Sequence, residues 1–114
     1  TMTTPIDLDE LKSRFGVENF QRLLSLFCNE AKAEIAGMTK AHAEQDMSEL
    51  LRLAHGLKGI CSSVNAKGLR LICIEVESAA RSDDWNKIGE LIEKMSNEFK
   101  GLDLHCGDQG PGLG

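Results

Sequence analysis

Residues 46–65 read DMSELLRLAHGLKGICSSVN and carry the signals of one complete amphipathic helix. Asp46 and Glu49 match a capping box, so the helix is predicted to begin at Met47. At about 100° per residue, its apolar side chains fall on one side: Leu50, Leu53, Leu57, Ile60, Cys61 and Val64. Asn65 then marks the end, because asparagine adopts the left-handed conformation more readily than other non-glycine residues. The segment therefore predicts a helix with one face in a core.

The opposite side of this helix holds residues that helix stability does not explain. His55 lies about 180° from the centre of the apolar stripe, with Lys58 and Gly59 one turn further on. Gly56 and Gly59 each destabilise a helix interior by roughly 1 kcal/mol relative to alanine. They are expected if another molecule must approach the histidine closely. The alternative is an ordinary surface histidine beside a chance lysine.

Apolar residues at three- and four-residue steps predict three further amphipathic helices around this one. They are residues 17–45, residues 66–81 and a last helix that follows Ser82, Asp83 and Asp84. Short connections between such helices favour antiparallel neighbours. The predicted fold is all-α, an antiparallel up-down-up-down four-helix bundle with a short additional N-terminal helix.

The signals at the two ends of the chain set the predicted domain boundaries. Asp7 and Glu10 match a capping box, and Gly16 is a plausible stop for a short first helix. The bundle is predicted to span residues 7–104. Residues 105–114 are rich in glycine, so we expect a flexible tail there.

The composition agrees with a helical protein and excludes other classes. The chain has 114 residues, enough for one compact domain, and no proline occurs from residue 6 to residue 110. Its formal charge of −5 disfavours binding to nucleic acid or to an anionic membrane. The longest apolar run is far shorter than the ~20 residues that a membrane span needs. Four cysteines without C-x-x-C spacing are expected to be reduced, small core residues: Cys28, Cys61, Cys73 and Cys106.

The residues around His55 resemble the histidine-containing phosphotransfer (HPt) domain family. The stretch AHGLKG at 54–59, with SSVNA at 62–66, is similar to the family's H-x-L-K-G motif and the helix break after it. The resemblance extends over about residues 7–103. It departs from the family at Asn65, where glycine is usual, and asparagine meets the same backbone need.

The resemblance implies that His55 accepts a phosphoryl group from a receiver-domain aspartyl phosphate and passes it to another receiver aspartate. A neutral imidazole is a good nucleophile near pH 7, because the usual pKa of histidine is ~6.5. Lys58 would stabilise the phosphoryl oxygens as a point charge, and Gly59 would leave room for them.

Three further residues are expected to support His55. The family places the positions matching Glu77 and Arg81 near the histidine, and Glu77 could orient the imidazole by accepting a hydrogen bond. Ser62, on the same helix face as His55, is the third. The alternative is that Glu77 and Arg81 form a simple surface pair at i,i+4 spacing.

A receiver domain needs a docking surface beside the histidine. Leu51 is the one large apolar residue on the polar side of its helix and lies one turn before His55. Leu51 and Arg52, with Leu11 and Phe15 from the first helix, are the predicted docking residues.

The expected partners are response-regulator receiver domains, including those of a hybrid sensor histidine kinase. The chain has no cofactor motif, no metal-ligand spacing and no nucleotide-binding loop, so we expect no kinase activity of its own. Mg²⁺ is expected on the receiver. We expect a cytoplasmic monomer, either a free-standing carrier or the cytoplasmic C-terminal domain of a membrane-bound hybrid kinase.

Two other functions fit the same sequence. The chain would be a scaffold or inhibitor if it bound receivers without carrying phosphate. It would be a receiver phosphatase if its polar face positioned a water molecule. The remaining histidines, His42 and His105, are expected to be solvated or to cap helices.

Overall fold

The computed structural model describes residue 13 and residues 16–109, with the side chains of Val17 and of residues 103–109 left out. Within that part of the chain the regular structure consists of four α-helices, without a β-strand. They are α1 (Val17–Ala43), α2 (Met47–Ser63), α3 (Lys67–Arg81) and α4 (Trp85–Gln109). The all-α prediction and the four substantial helices are confirmed. The up-and-down direction of the helices stays a prediction. So does the short first helix, of which only residue 13, a helical residue, is described.

Three connections of three residues join the helices, and all have the same backbone geometry. The middle residue of each connection has a positive φ, 54° at Gln45, 63° at Asn65 and 55° at Asp83. The next backbone N–H donates back to a carbonyl near the end of the preceding helix, as from Ala66 to Cys61 at 2.9 Å. This is the Schellman arrangement. The left-handed residue predicted at Asn65 is confirmed.

Each helix packs against two others, which closes the four helices into a ring. α2 contacts α1 and α3, while α4 contacts α3 and α1. Among the described residues, the buried core contains only hydrophobic side chains. Its largest fully buried members include Phe20, Leu24, Met38, Leu50, Leu57, Leu69, Ile88 and Met95. No described helix is both long enough and apolar enough to cross a membrane.

The observed helix ends differ from prediction in two places. α1 ends at Ala43 rather than at residue 45, because Gln45 has left the helical conformation. α4 continues to Gln109, so residues 105–109 are helical where a tail was predicted to begin. This extension contains no proline, and a helix tolerates its single glycine, Gly107, at a cost of about 1 kcal/mol.

The cysteines match the prediction only in part. Cys61 and Cys73 are free, fully buried core residues on α2 and α3. The contact with Cys73, together with burial, raises the pKa of the Cys61 thiol, so it stays protonated. Cys28 is disulfide-bonded, so the expectation of a reduced thiol is wrong there.

Candidate functional site

α2 turns His55 outward while it buries its neighbours. Ala54 and Leu57 are fully buried, and the His55 side chain is 77% exposed. This follows from the helical period, because His55 lies on the side opposite the residues that fill the core. The outward orientation predicted for His55 is therefore observed.

The carboxylate of Glu77, on α3, lies between Lys58 and His55 and contacts both. The Lys58 Nζ donates to Glu77 Oε1 at 2.8 Å, and the other oxygen, Oε2, lies 3.6 Å from His55 Nδ1. The second distance is longer than a hydrogen bond and describes an electrostatic contact. Glu77 is only 16% exposed, and Lys58 is 26% exposed. Glu77 therefore faces α2, and its partner is Lys58 rather than the predicted alternative, Arg81.

Glu77 is held in its ionised form. The hydrogen bond from Lys58 lowers the pKa of Glu77, and the contact with His55 acts in the same direction. Partial burial opposes this shift, because it disfavours the charged form. The site consequently contains one fixed negative charge between an ammonium group and an imidazole ring.

The two glycines beside His55 have different surroundings. A Cβ atom at Gly59 would meet no other atom within 4 Å. The free space predicted beside the histidine is therefore present at Gly59. At Gly56 a Cβ would lie 3.0 Å and 3.1 Å from the two carboxylate oxygens of Glu34 on α1. Gly56 thus makes room for an internal contact, and the expectation that it opens the surface to a partner is wrong.

A second polar contact continues along the same face of α2. The Arg70 Nε donates to Ser62 Oγ at 3.0 Å, and Ser62 Oγ donates to the Lys58 carbonyl at 3.3 Å. Ser62 thus lies one turn after Lys58 on α2, and its supporting role stays a prediction, while Arg70 was not among the predicted site residues. Its signal was its spacing, since Arg70 lies seven residues before Glu77, two helical turns away. Among the described residues, no hydrogen bond or ion pair joins Arg81 to this group.

The predicted docking residues lie in several environments. Leu51 is half-buried against the core rather than fully exposed. Arg52 is exposed, and its Nε and Nη2 donate to the Glu49 carboxylate at 2.9 Å and 2.6 Å. Leu11 and Phe15 lie outside the described residues. Sequence reasoning missed the two large apolar side chains that the described surface exposes, Leu26 at 58% and Leu71 at 59%.

His42 bridges two helices, whereas a solvated or helix-capping position was predicted. It is half-buried near the end of α1, and its Nε2 lies 2.9 Å from the Trp85 carbonyl of α4. Its ring also meets the Trp85 ring edge-on, with centroids 5.7 Å apart. The side chain of His105 lies outside the described residues. No cluster of three or more His, Cys, Asp or Glu side chains in the described part of the chain could hold a metal ion.

Two comparisons with known proteins found a match for the chain. A family model described as Hpt domain matches residues 22–103, which include His55, Lys58 and Glu77. The chain is also similar to the crystal structure of histidine-containing phosphotransfer protein B (HptB) from Pseudomonas aeruginosa PAO1, with 25% sequence identity and a TM-score of 0.81. That match covers 92% of this chain and 93% of the other. No curated protein sequence matches the chain.

Proposed function

The chain belongs to the Hpt domain family, and from this premise we propose that it is a phosphorelay carrier whose phosphorylated residue is His55. The observation that carries the proposal is the exposed imidazole with Nδ1 toward the ionised Glu77 carboxylate. In this arrangement Nε2 has no partner among the described residues. Nε2 is therefore the nitrogen available to attack phosphorus.

The proposed transfer exchanges one phosphorus bond for another. The Nε2 lone pair of neutral His55 attacks the phosphorus of a receiver's aspartyl phosphate, and the bond to the aspartate oxygen breaks. The electron pair of that bond stays on the aspartate, which leaves as a carboxylate. The ring keeps its Nδ1 proton and gains positive charge, which the Glu77 carboxylate stabilises at 3.6 Å. The reverse step passes the group to a second receiver.

In this scheme Lys58 stabilises the charge of the phosphoryl group, and Gly59 leaves space for its oxygens. The Lys58 ammonium is held near the imidazole by Glu77 at 2.8 Å, which limits the entropy lost when it turns toward phosphoryl oxygens. Gly59 leaves the surface beside the ring open, so the oxygens approach without a Cβ in their way. Phosphoryl transfer depends on this kind of positioning and charge stabilisation.

The partners we propose are receiver domains, which bring their own Mg²⁺, and the chain acts on them as a monomer. It has no kinase activity of its own in this proposal. It operates in the cytoplasm, as a free carrier or as one domain of a hybrid sensor kinase.

The experiment uses receiver domains from the same genome, each carrying radiolabelled aspartyl phosphate. Label is expected to move to the wild-type chain and to the His42→Gln control, and His55→Gln is expected to accept none. Labelling that survives in His55→Gln would overturn the assignment. Receiver binding without any transfer indicates a scaffold or inhibitor, and phosphate release without a labelled chain indicates a phosphatase.

A further inference from the structure

A groove between α1 and α2 adjoins the turn that carries His55. It has a volume of about 380 Å³, and its lining includes Leu26, Glu30, Ala33, Glu34, Arg52 and Leu53. Arg52 lies one turn before His55 on α2. A Cβ atom at Gly56, the residue after His55, would lie 3.0 Å from the Glu34 carboxylate. We call this feature the α1–α2 groove.

Glu34 lacks the hydrogen-bond donor that a carboxylate in its position needs. Its Oε1 is buried and has no hydrogen-bond partner. Burial and then the nearby Glu30 carboxylate raise the pKa of Glu34, while Arg52 acts in the opposite direction. Buried polar atoms in proteins are nearly always hydrogen-bonded, so an unpaired one requires an explanation.

The basic residue that lines the groove does not meet this need. Both hydrogen bonds of the Arg52 guanidinium go to Glu49, on its own helix. No hydrogen bond or ion pair links Arg52 to Glu34 in the described structure. Because the last torsion of a glutamate side chain rotates easily, either oxygen of Glu34 can turn toward a donor that enters the groove.

Leu26 gives the groove an apolar contact point. It is one of the two large apolar side chains that the described surface exposes, and it lies on α1 one turn before Glu30 and two turns before Glu34. An exposed leucine and an unpaired carboxylate in the same groove match a partner surface that offers both an apolar side chain and a cation. Leu71 has the same exposure but does not line the groove.

We propose that the α1–α2 groove is a docking and selectivity surface for receiver domains that present a lysine or arginine and an apolar side chain with the spacing of Glu34 and Leu26. The cation pairs with Glu34, and the apolar side chain packs on Leu26. The groove's continuity with the turn of His55 places this contact at the edge of the transfer site. The inference rests on the proposed phosphorelay function, because it names the receiver's chemistry.

Titration calorimetry tests the inference separately from phosphotransfer. It measures the Kd of unphosphorylated receiver domains for the full chain. Glu34→Gln and Leu26→Ala are each expected to raise the Kd of a cognate receiver about tenfold. The matched controls, Glu75→Gln on α3 and Leu71→Ala, are expected to leave the Kd unchanged. Unfolding curves check that all four variants fold like the wild type.

The outcomes separate this inference from the proposed function. If the wild-type chain accepts label and the groove variants bind like the wild type, the groove inference is wrong and the carrier function stands. If receivers bind without transfer, weaker binding by Glu34→Gln and Leu26→Ala still supports the groove. If no receiver binds or transfers, both are wrong.

Discussion

At the scale of single residues, Gly59 combines a cost in stability with free space at the site. Its missing side chain would meet nothing within 4 Å, so packing does not require a glycine. Gly59→Ala should stabilise the folded chain by about 1 kcal/mol, because alanine is the better helix former. It should also slow phosphotransfer, since the new methyl group lies where phosphoryl oxygens approach. Urea unfolding and transfer of label from a receiver measure the two effects.

Gly101 provides the matched control for this substitution. It lies exposed in α4, and a Cβ atom there would also meet no other atom within 4 Å. Gly101→Ala should give a similar gain in stability and leave transfer unchanged. Equal transfer rates in both variants would contradict the role of Gly59 in access.

Glu77 is expected to contribute to the free energy of unfolding in a pH-dependent way. The folded-state pKa of Glu77 lies below its usual value of 4.5, mainly because Lys58 donates to it. A carboxyl with a lowered folded-state pKa stabilises the protein above the unfolded-state pKa, and this is lost as pH falls through the folded-state value. Glu77→Gln should therefore be less stable than wild type at pH 7, with the difference shrinking below about pH 4.5.

Urea unfolding at pH 7 and at pH 3 measures that difference. Glu75→Gln, an exposed carboxylate on the same helix, should show no comparable change between the two pH values. A stability difference for Glu77→Gln that stays constant over this range would show that the lysine contact adds nothing to folding.

Residue-scale prediction succeeded where the helical period alone decides a side chain's direction. The outward position of His55 and the burial of Leu57 follow from angles along α2. The approach of the Glu34 carboxylate to Gly56 did not follow, because it depends on how α1 and α2 are rotated about their axes, and the sequence pattern does not specify that rotation. The same limit applies to the pairing of Lys58 with Glu77.

At the scale of the helices and their turns, three left-handed residues connect the bundle, and they are not equally suited to that conformation. Gln45 has a φ of 54°, in the left-handed region. The short polar side chains of asparagine and aspartate make this conformation tolerable, whereas the longer glutamine side chain does not favour it. Gln45→Gly should raise the free energy of unfolding by about 1 kcal/mol, since glycine avoids the Cβ clash. Asn65→Gly should give a smaller gain.

Thermal or urea unfolding of the two variants tests this ranking. An Asn65→Gly gain equal to that of Gln45→Gly would mean that side-chain identity does not govern these turns. The difference between asparagine and glutamine also explains why the end of α2 was predicted correctly and the end of α1 was not. Asn65 signals a left-handed cap, so the sequence predicts the end of α2 there, whereas Gln45 carries no such signal and the predicted first long helix runs through it.

At the scale of the whole molecule, the ring of four helices closes where α1 contacts α4. The sequence did not predict which residues make this contact. Amphipathic periodicity gives each helix an apolar face, and short connections bring consecutive helices together. Neither signal describes the contact between the first and last helices. There His42 reaches the Trp85 carbonyl, and its ring lies over Gly89, where a Cβ would be 3.0 Å from Nε2.

The two histidines whose side chains are described are expected to have different roles: His42 contributes to stability, and His55 to phosphotransfer. His42→Ala should lower the free energy of unfolding by about 1–3 kcal/mol, because it removes a half-buried hydrogen bond and leaves space beside Trp85. Transfer of label should persist in this variant at temperatures where it stays folded. His55→Ala should change stability by no more than about 0.5 kcal/mol, since its side chain is 77% exposed, and should abolish transfer. Urea unfolding and labelled-receiver assays on both variants measure these opposite effects, and loss of transfer in folded His42→Ala would contradict the separation.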